Sequence, residues 1–204
     1  VGCDSAVGGT RTANSLNLGN EEFTVTGAGV GGAGAIVNNG SQEQQSALYR
    51  IFLAGDTTVG GLKRWDIHAP SFLVMNDHTL NKTGAAEVVI QNTPVFPGTG
   101  RMVINQGLIR FEAGSLFTGS ASNSVTVNSG GVLDLWNLTP FVPGWTLKLN
   151  DLAVFRGSGT TSATNSDVWA GPVILNGKAF FNGGSANVSW TCMGDIPGAG
   201  SLIR

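Results

Sequence analysis

Acidic side chains are the residues of this sequence with the clearest capacity for catalysis. A glycoside hydrolase acts through two carboxyl groups held roughly 5 to 9.5 Å apart. No Asp-Asp or Asp-x-Asp pair occurs among the candidates, so we expect them to be dispersed along the fold. The candidates are Asp56, Asp66, Asp77, Glu87, Glu112, Asp134, Asp151 and Asp167.

Two other residue types could serve a functional site. His68 and His78 could act as general bases. Neither lies near a serine in a Gly-x-Ser-x-Gly frame, so we expect both at surface or loop positions. The tryptophans could stack on sugar rings, but their irregular spacing predicts that most of them fill the core. They are Trp65, Trp136, Trp145, Trp169 and Trp190.

The composition excludes several classes of protein. Charged residues make up 12% of the chain and the net charge is −2, which leaves no basic surface for nucleic acid. No apolar run reaches the ~18 residues of a membrane-spanning helix. Gly accounts for 31 of the 204 residues, but hydrophobic residues make up 41%, which is too many for a disordered Gly-rich tract.

A repeat of apolar strand, Asn, small residues and apolar strand recurs along the chain. Its asparagines are 24, 23, 22 and 26 residues apart. A period near 23 without helical spacing favours a β-solenoid, whose coils pair with one another about 4.8 Å apart. The whole chain would give about nine coils of roughly 22–26 residues, a single all-β segment over residues 1–204. The repeated asparagines are Asn81, Asn105, Asn128, Asn150 and Asn176.

The solenoid hypothesis also bears on the cysteines and on the end of the sequence. Cys3 and Cys192 form no Cys-x-x-Cys or Cys/His cluster, so we expect no zinc site, and nothing in the sequence indicates another cofactor. They would lie near opposite ends of a rod, so we expect no disulfide between them. Gly200–Arg204 reads as the opening of a strand, which predicts that the segment is part of a longer chain.

The repeat places two sets of polar residues in register. We interpret the asparagines as a corner row of stacked, mutually bonded amides, with a row that binds sugar hydroxyls as the alternative. Arg110, Asp134 and Arg156 occupy similar repeat positions. We interpret them as an outward row of alternating charge that supports strand pairing by roughly a few tenths of a kcal/mol per pair. The alternative is an active site.

Part of the sequence resembles a known family. The Leu-x-Lys-Thr-Gly-x-Gly-x-Leu-x-Leu core of the autotransporter-associated β-strand repeat is similar to Leu80–Ile90, except that Ala86 stands where the family has Gly. Gly98–Glu112 is similar to the turn and strand that usually follow, and the resemblance extends over residues 47–136. It implies a right-handed parallel β-helix in a large exported bacterial surface protein, and it implies no activity.

These features predict a non-catalytic extracellular β-solenoid with a structural or surface-display role, able to adhere or self-assemble. The expected partners are flanking repeats of the same long protein, a second copy joined end to end, and surface glycans. One alternative is a polysaccharide lyase or glycoside hydrolase, which requires carboxylates or basic residues that converge in one groove. The other is a glycan-binding module, which requires two or more exposed tryptophans on one face.

Overall fold

We describe a computed structural model of the chain that covers residues 18–138, 144–159, 165–183 and 188–204. These residues form 19 strands and one short 3-10 helix, Val30–Gly32. The strands are β1 (Glu22–Gly27), β2 (Ile36–Asn38), β3 (Gln44–Gly61), β4 (Trp65–Val74), β5 (Thr79–Lys82), β6 (Glu87–Gln91), β7 (Pro94–Phe96), β8 (Arg101–Ile104), β9 (Gly107–Glu112), β10 (Leu116–Phe117), β11 (Ser124–Val127), β12 (Gly131–Trp136), β13 (Thr146–Leu149), β14 (Val154–Ser158), β15 (Asn165–Trp169), β16 (Val173–Leu175), β17 (Lys178–Gly183), β18 (Val188–Cys192) and β19 (Ser201–Ile203).

The strands stack as a parallel β-solenoid with three faces, which confirms the predicted all-β fold. Face A contains β2, the end of β3, β5, β8, β11, β13 and β16. Face B contains the start of β4, then β6, β9, β12, β14, β17 and β19. Face C contains β1, the middle of β3, the end of β4, β7 and β10. Strands β15 and β18 pair in parallel as a separate two-stranded sheet.

The described residues complete about seven turns, so the predicted count of about nine coils is wrong. The prediction divided the whole length of the chain by the repeat period. Among the described residues, strand pairing begins at Glu22, and the last paired strand is the short β19. That strand lies where the sequence predicted a strand opening. No helix in the part of the chain that the structure describes is long and apolar enough to cross a membrane.

The core follows from strand alternation, because every second side chain of a strand points inward. In a parallel stack, an inward residue meets its equivalents in the coils on either side. On face B one such inward column runs through five coils, and each of its members is at most 2% exposed. The column consists of Trp65, Val88, Ile109, Leu133 and Phe155.

The corner between faces A and B carries a ladder of asparagine amides, which we call the Asn ladder. Each Nδ2 donates to the Oδ1 of the preceding coil's amide, from Asn128 to Asn105 at 2.7 Å, from Asn150 to Asn128 at 2.5 Å and from Asn176 to Asn150 at 2.9 Å. The structure therefore brings together four of the five asparagines of the predicted corner row. Because each amide bonds to its neighbours, the ladder stabilises the corner coil by coil.

Asn81 is not part of the Asn ladder, and its assignment to the corner is corrected here. It pairs with Val103 in the sheet, two positions before the corner, and Thr83 stands in the corner itself. The neighbouring Lys82 points inward and donates from Nζ to the carbonyl oxygens of Thr83 at 2.8 Å, Gly84 at 2.7 Å and Gln106 at 3.0 Å. Burial lowers the pKa of Lys82 to about 8. The Lys-Thr-Gly turn therefore closes this corner with an ammonium group instead of an amide.

Buried hydroxyl groups line the corner between faces B and C. The Oγ of Ser71 and the Oγ1 of Thr93 lie 2.5 Å apart, and Ser115 in the following coil donates to the Ile90 carbonyl oxygen at 2.9 Å. Small hydroxyl side chains can turn the chain and also satisfy backbone groups that the strands leave unpaired. Each of the two corners thus has its own polar column.

Replacing Asn128 with Ala is expected to lower the free energy of unfolding by about 1–3 kcal/mol, because it removes two hydrogen bonds of the Asn ladder and leaves the Asn150 donor without its acceptor. Asn81→Ala is the matched control, since Asn81 lies outside the ladder, and should change stability by less than about 0.5 kcal/mol. Urea unfolding followed by circular dichroism measures both. Equal effects of the two substitutions would contradict a structural role for the ladder.

Candidate functional site

The outer surface of face B collects most of the charged residues that the sequence analysis considered. Asp66 lies between the core residues Trp65 and Ile67, so its side chain is on the outer side of the strand. The strand register places Asp66 at the start of an outward row that has one residue in each coil. The row consists of Asp66, Val89, Arg110, Asp134 and Arg156.

Asp134 is the centre of this row and is fully buried on the outer side of the sheet. Its carboxylate accepts from Arg110 Nε at 2.7 Å, from Arg156 Nε at 3.0 Å and Nη2 at 2.9 Å, and from Ser158 Oγ at 2.7 Å. The structure therefore brings the three predicted residues of the charge row into contact. The sequence did not reveal that Asp134 and Arg110 are buried, and a buried ion pair costs far more to break than an exposed one.

The ion pairs continue beyond the three predicted residues, toward the start of the chain. Arg110 Nη1 lies 2.6 Å from Glu87 Oε1, and Glu87 lies 4.0 Å from Arg64. Arg64 makes two bonds of 2.8 Å to Asp66, which is buried. We call the connected side chains the charge network. Sequence reasoning missed Arg64 as a member, although the spacing of 23 residues from Arg64 to Glu87 and from Glu87 to Arg110 was a usable signal.

Glu112 lies beside the charge network and differs from its members. It pairs in register with Trp136, whose ring also covers the Arg110 guanidinium at 4.7 Å. Its Oε2 is buried and has no hydrogen-bond partner. Burial raises the pKa of Glu112, and the charges of Arg64 and Arg110 only partly oppose this shift. A carboxyl group that keeps its proton to higher pH has the property required of a general acid.

The remaining carboxylates bind backbone groups of neighbouring coils. Asp56 accepts from the Thr79 amide at 2.7 Å, and Asp77 accepts from the Thr99 amide at 2.6 Å. Asp151 does the same for Lys178, at 3.0 Å. These bonds span 22 to 27 residues, about one coil, so the three side chains hold coils together at the turns.

Asp167 is the one sequence candidate that the structure places on the inner side, in β15. One carboxyl oxygen accepts from the Leu138 amide at 2.8 Å, and the other is buried without a hydrogen-bond partner. Burial raises the pKa of Asp167 to about 6. The carboxyl group is therefore poorly solvated in its ionised form, which makes it a source of pH-dependent stability.

The tryptophans and histidines do not converge on one surface. Trp65, Trp145 and Trp169 lie in the core, as the sequence predicted for most tryptophans. Trp190 is half-buried and stacks on Phe181 with ring centroids 4.9 Å apart, while Trp136 covers Arg110 on face B. His68 and His78 are both half-buried, and Nδ1 of His68 lies 3.1 Å from the Ala69 carbonyl oxygen.

Metal-binding and thiol chemistry have little support in the described ranges. Those residues contain no group of three or more His, Cys, Asp or Glu side chains that could hold a metal ion. Cys192 is a free, half-buried thiol, and burial raises its pKa to about 11. Cys3 lies outside the described residues, so the expectation about a disulfide stays a prediction.

Replacing Asp134 with Ala is expected to lower the free energy of unfolding by about 3 kcal/mol, because the buried Arg110 loses a partner while the partly exposed Arg156 can turn toward water. Asp195→Ala, which removes an exposed carboxylate outside the charge network, should change stability by less than about 0.5 kcal/mol. Guanidinium unfolding midpoints would show the difference. A loss of less than about 1 kcal/mol in Asp134→Ala would mean that the network is solvated and contributes little.

Asp167→Asn is expected to stabilise the protein at neutral pH. The pKa of Asp167 rises from 3.8 to about 6 on folding, so the folded state binds more protons between these values and stability falls as pH rises through this window. Asn keeps the acceptor for Leu138 and removes the charge. The gain should be near zero below pH 4 and reach about 1–3 kcal/mol above pH 6, measured by urea unfolding at pH 3.5, 5 and 7. A pH-independent difference would contradict this explanation.

Comparison of the chain with models of known protein families, with curated proteins and with solved structures gives no match. The resemblance to the autotransporter-associated repeat therefore rests on the sequence motif alone. The structure supports the fold that this resemblance implies, because the chain is a parallel β-solenoid built from stacked coils.

Proposed function

We propose that the chain is a non-catalytic structural segment of an exported protein, displayed outside the cell or on its outer surface. One observation carries this proposal: most of the polar groups that could do chemistry are bonded to other side chains or to the backbone of neighbouring coils instead. Asp134 accepts four hydrogen bonds from side chains of adjacent coils, and the amides of the Asn ladder bond to one another. A rod that holds its shape through such contacts is suited to carrying or spacing other parts of a protein.

The likeness of Leu80–Ile90 to the autotransporter-associated repeat supports an exported passenger-type protein. Export also agrees with a chain that has two cysteines and four lysines. Labelling of intact cells that express the protein, with an antibody against the folded segment, tests the location. Signal that appears only after the cells are permeabilised would contradict surface display.

We further propose that other coils stack on this segment, either flanking repeats of the same protein or a second copy end to end. β19 pairs with β17 along one edge, and a cleft of about 410 Å³ lies beside it. Phe181, Trp190 and Leu202 are among its lining residues. Unpaired strand edges and apolar core side chains together favour the addition of another coil.

A hydrolase or lyase is the second candidate function, and Glu112 is the observation that favours it. Its pKa is raised by burial, one of its oxygens lacks a partner, and it lies close to other carboxylates and to arginines. A catalytic acid and base must both reach one substrate atom, and Glu87 and Asp66 are already engaged by arginines. The scaffold proposal is therefore the better supported of the two.

Purified protein assayed against acidic and neutral polysaccharides is expected to release no reducing ends or unsaturated products. Glu112→Gln tests the alternative, because it removes the ionisable group of the candidate acid and preserves its shape. Glu43→Gln, on an exposed turn, is the matched control. Turnover that persists in Glu43→Gln and disappears in Glu112→Gln would overturn the scaffold proposal and assign an active site to face B.

A further inference from the structure

The outer surface of face C carries an uncharged strip of side chains on four successive coils, and the charge network lies on a different face. Phe52, Val74 and Phe96 form one row in register, and Pro94 pairs with Leu116 in a second row. Phe72 belongs to the second row, because it pairs with Arg50 two positions before the Phe52–Val74 pair of the first row. We call this surface the apolar strip. It consists of Phe52, Phe72, Val74, Pro94, Phe96 and Leu116.

The apolar strip is most open to solvent in its last two coils. Phe96 is 45% exposed and Leu116 is 60% exposed, whereas the other four side chains are half-buried. Phe52 and Phe72 pack edge to face, with ring centroids 5.2 Å apart, so they form one continuous apolar surface. Exposed apolar side chains that cluster in this way mark interaction surfaces more often than isolated ones do.

The edge of the apolar strip that is nearest the start of the chain carries one ion pair. Arg50 lies over the Phe72 ring at 5.6 Å and is paired with Glu22 at 3.4 Å. Arg50 therefore continues the second row with a charged residue, and Glu22 places an opposite charge beside it. The six residues of the strip are uncharged, and Arg50 and Glu22 at its border carry opposite charges, so this surface has no net charge and favours an uncharged partner.

The size of the apolar strip excludes a stable protein partner bound through it alone. Four coils span about 14 Å along the solenoid axis, and the two rows lie about 7 Å apart. The surface is therefore on the order of 200 Å², whereas each side of a stable protein interface buries about 800 Å². A narrow ligand that runs along the axis fits this shape better than a second copy of the chain.

We propose that the apolar strip binds a neutral polysaccharide whose chain lies along the solenoid axis. Pyranose rings have apolar faces made of C–H groups, which pack on phenylalanine and proline rings as other flat apolar surfaces do. The equal steps between coils offer the polymer equivalent contacts along its length. The inference rests on the proposed extracellular location, where such polymers occur. The sequence analysis considered the tryptophans as sugar-binding residues, but three of them are in the core. The proposal assigns this role to phenylalanines on face C instead.

The test is depletion of the full chain from solution by insoluble cellulose, chitin and a neutral β-1,3-glucan, with an anionic alginate gel for comparison. We expect at least one neutral polymer to bind the protein and the alginate not to. The double substitution Phe96→Ser with Leu116→Ser should weaken binding at least tenfold. Leu62→Ser is the matched control, because Leu62 is 66% exposed outside the strip, and it should bind as the wild type does.

Circular dichroism and thermal melting verify that the double variant is folded, which is expected because both side chains point outward. Size-exclusion chromatography of the same proteins tests whether a second copy of the chain occupies the strip instead. The proposal is overturned if none of the neutral polymers binds, if the double variant binds as tightly as the wild type, or if the strip instead supports a self-association that the double variant abolishes. None of these outcomes bears on the scaffold proposal, which depends on the charge network and on the absence of turnover.

Discussion

Hydrogen bonding between equivalent positions of successive coils is the constraint on which the rest of the molecule depends. Because each coil lies about 4.8 Å above the last, every side chain meets its own equivalent in the next coil. Apolar columns can repeat freely, and amides can repeat because each is both donor and acceptor, as in the Asn ladder. Charges cannot repeat, so Asp134 lies between Arg110 and Arg156.

The same constraint explains what the sequence could and could not predict. The period of about 23 residues was visible in the asparagines, and it led to the solenoid, to the corner from Asn105 to Asn176 and to the contact of Arg110 with Asp134. Asn81 was misplaced because the Lys-Thr-Gly turn shifts the asparagine out of the corner and gives its role to Lys82. The burial of Asp134 was not predictable, because it depends on neighbouring coils whose side chains cover it.

The polar features of the molecule are divided among its faces and corners. The corner between faces A and B bonds through amides, the corner between faces B and C through hydroxyl groups, and face B through ion pairs. Face C, by contrast, leaves the outward apolar side chains of Phe96 and Leu116 exposed. Glu112 and Asp167 each keep a buried carboxyl oxygen without a hydrogen-bond partner, and both have pKa values raised by burial. Contacts within the rod and surfaces open to other molecules are therefore largely separate.

The alternation of charge on face B has a consequence for how such a rod can lengthen in evolution. Duplication of one coil would preserve the apolar columns and the Asn ladder, because those columns accept a copy of themselves. A copy of the coil that carries Asp134 would, however, set two carboxylates in register, and a copy of the coil that carries Arg156 would set two guanidinium groups in register. Gene duplications that insert two coils together keep the signs alternating. Along this part of the rod, the number of coils added by duplication must therefore be even, in addition to each coil having the length of one repeat.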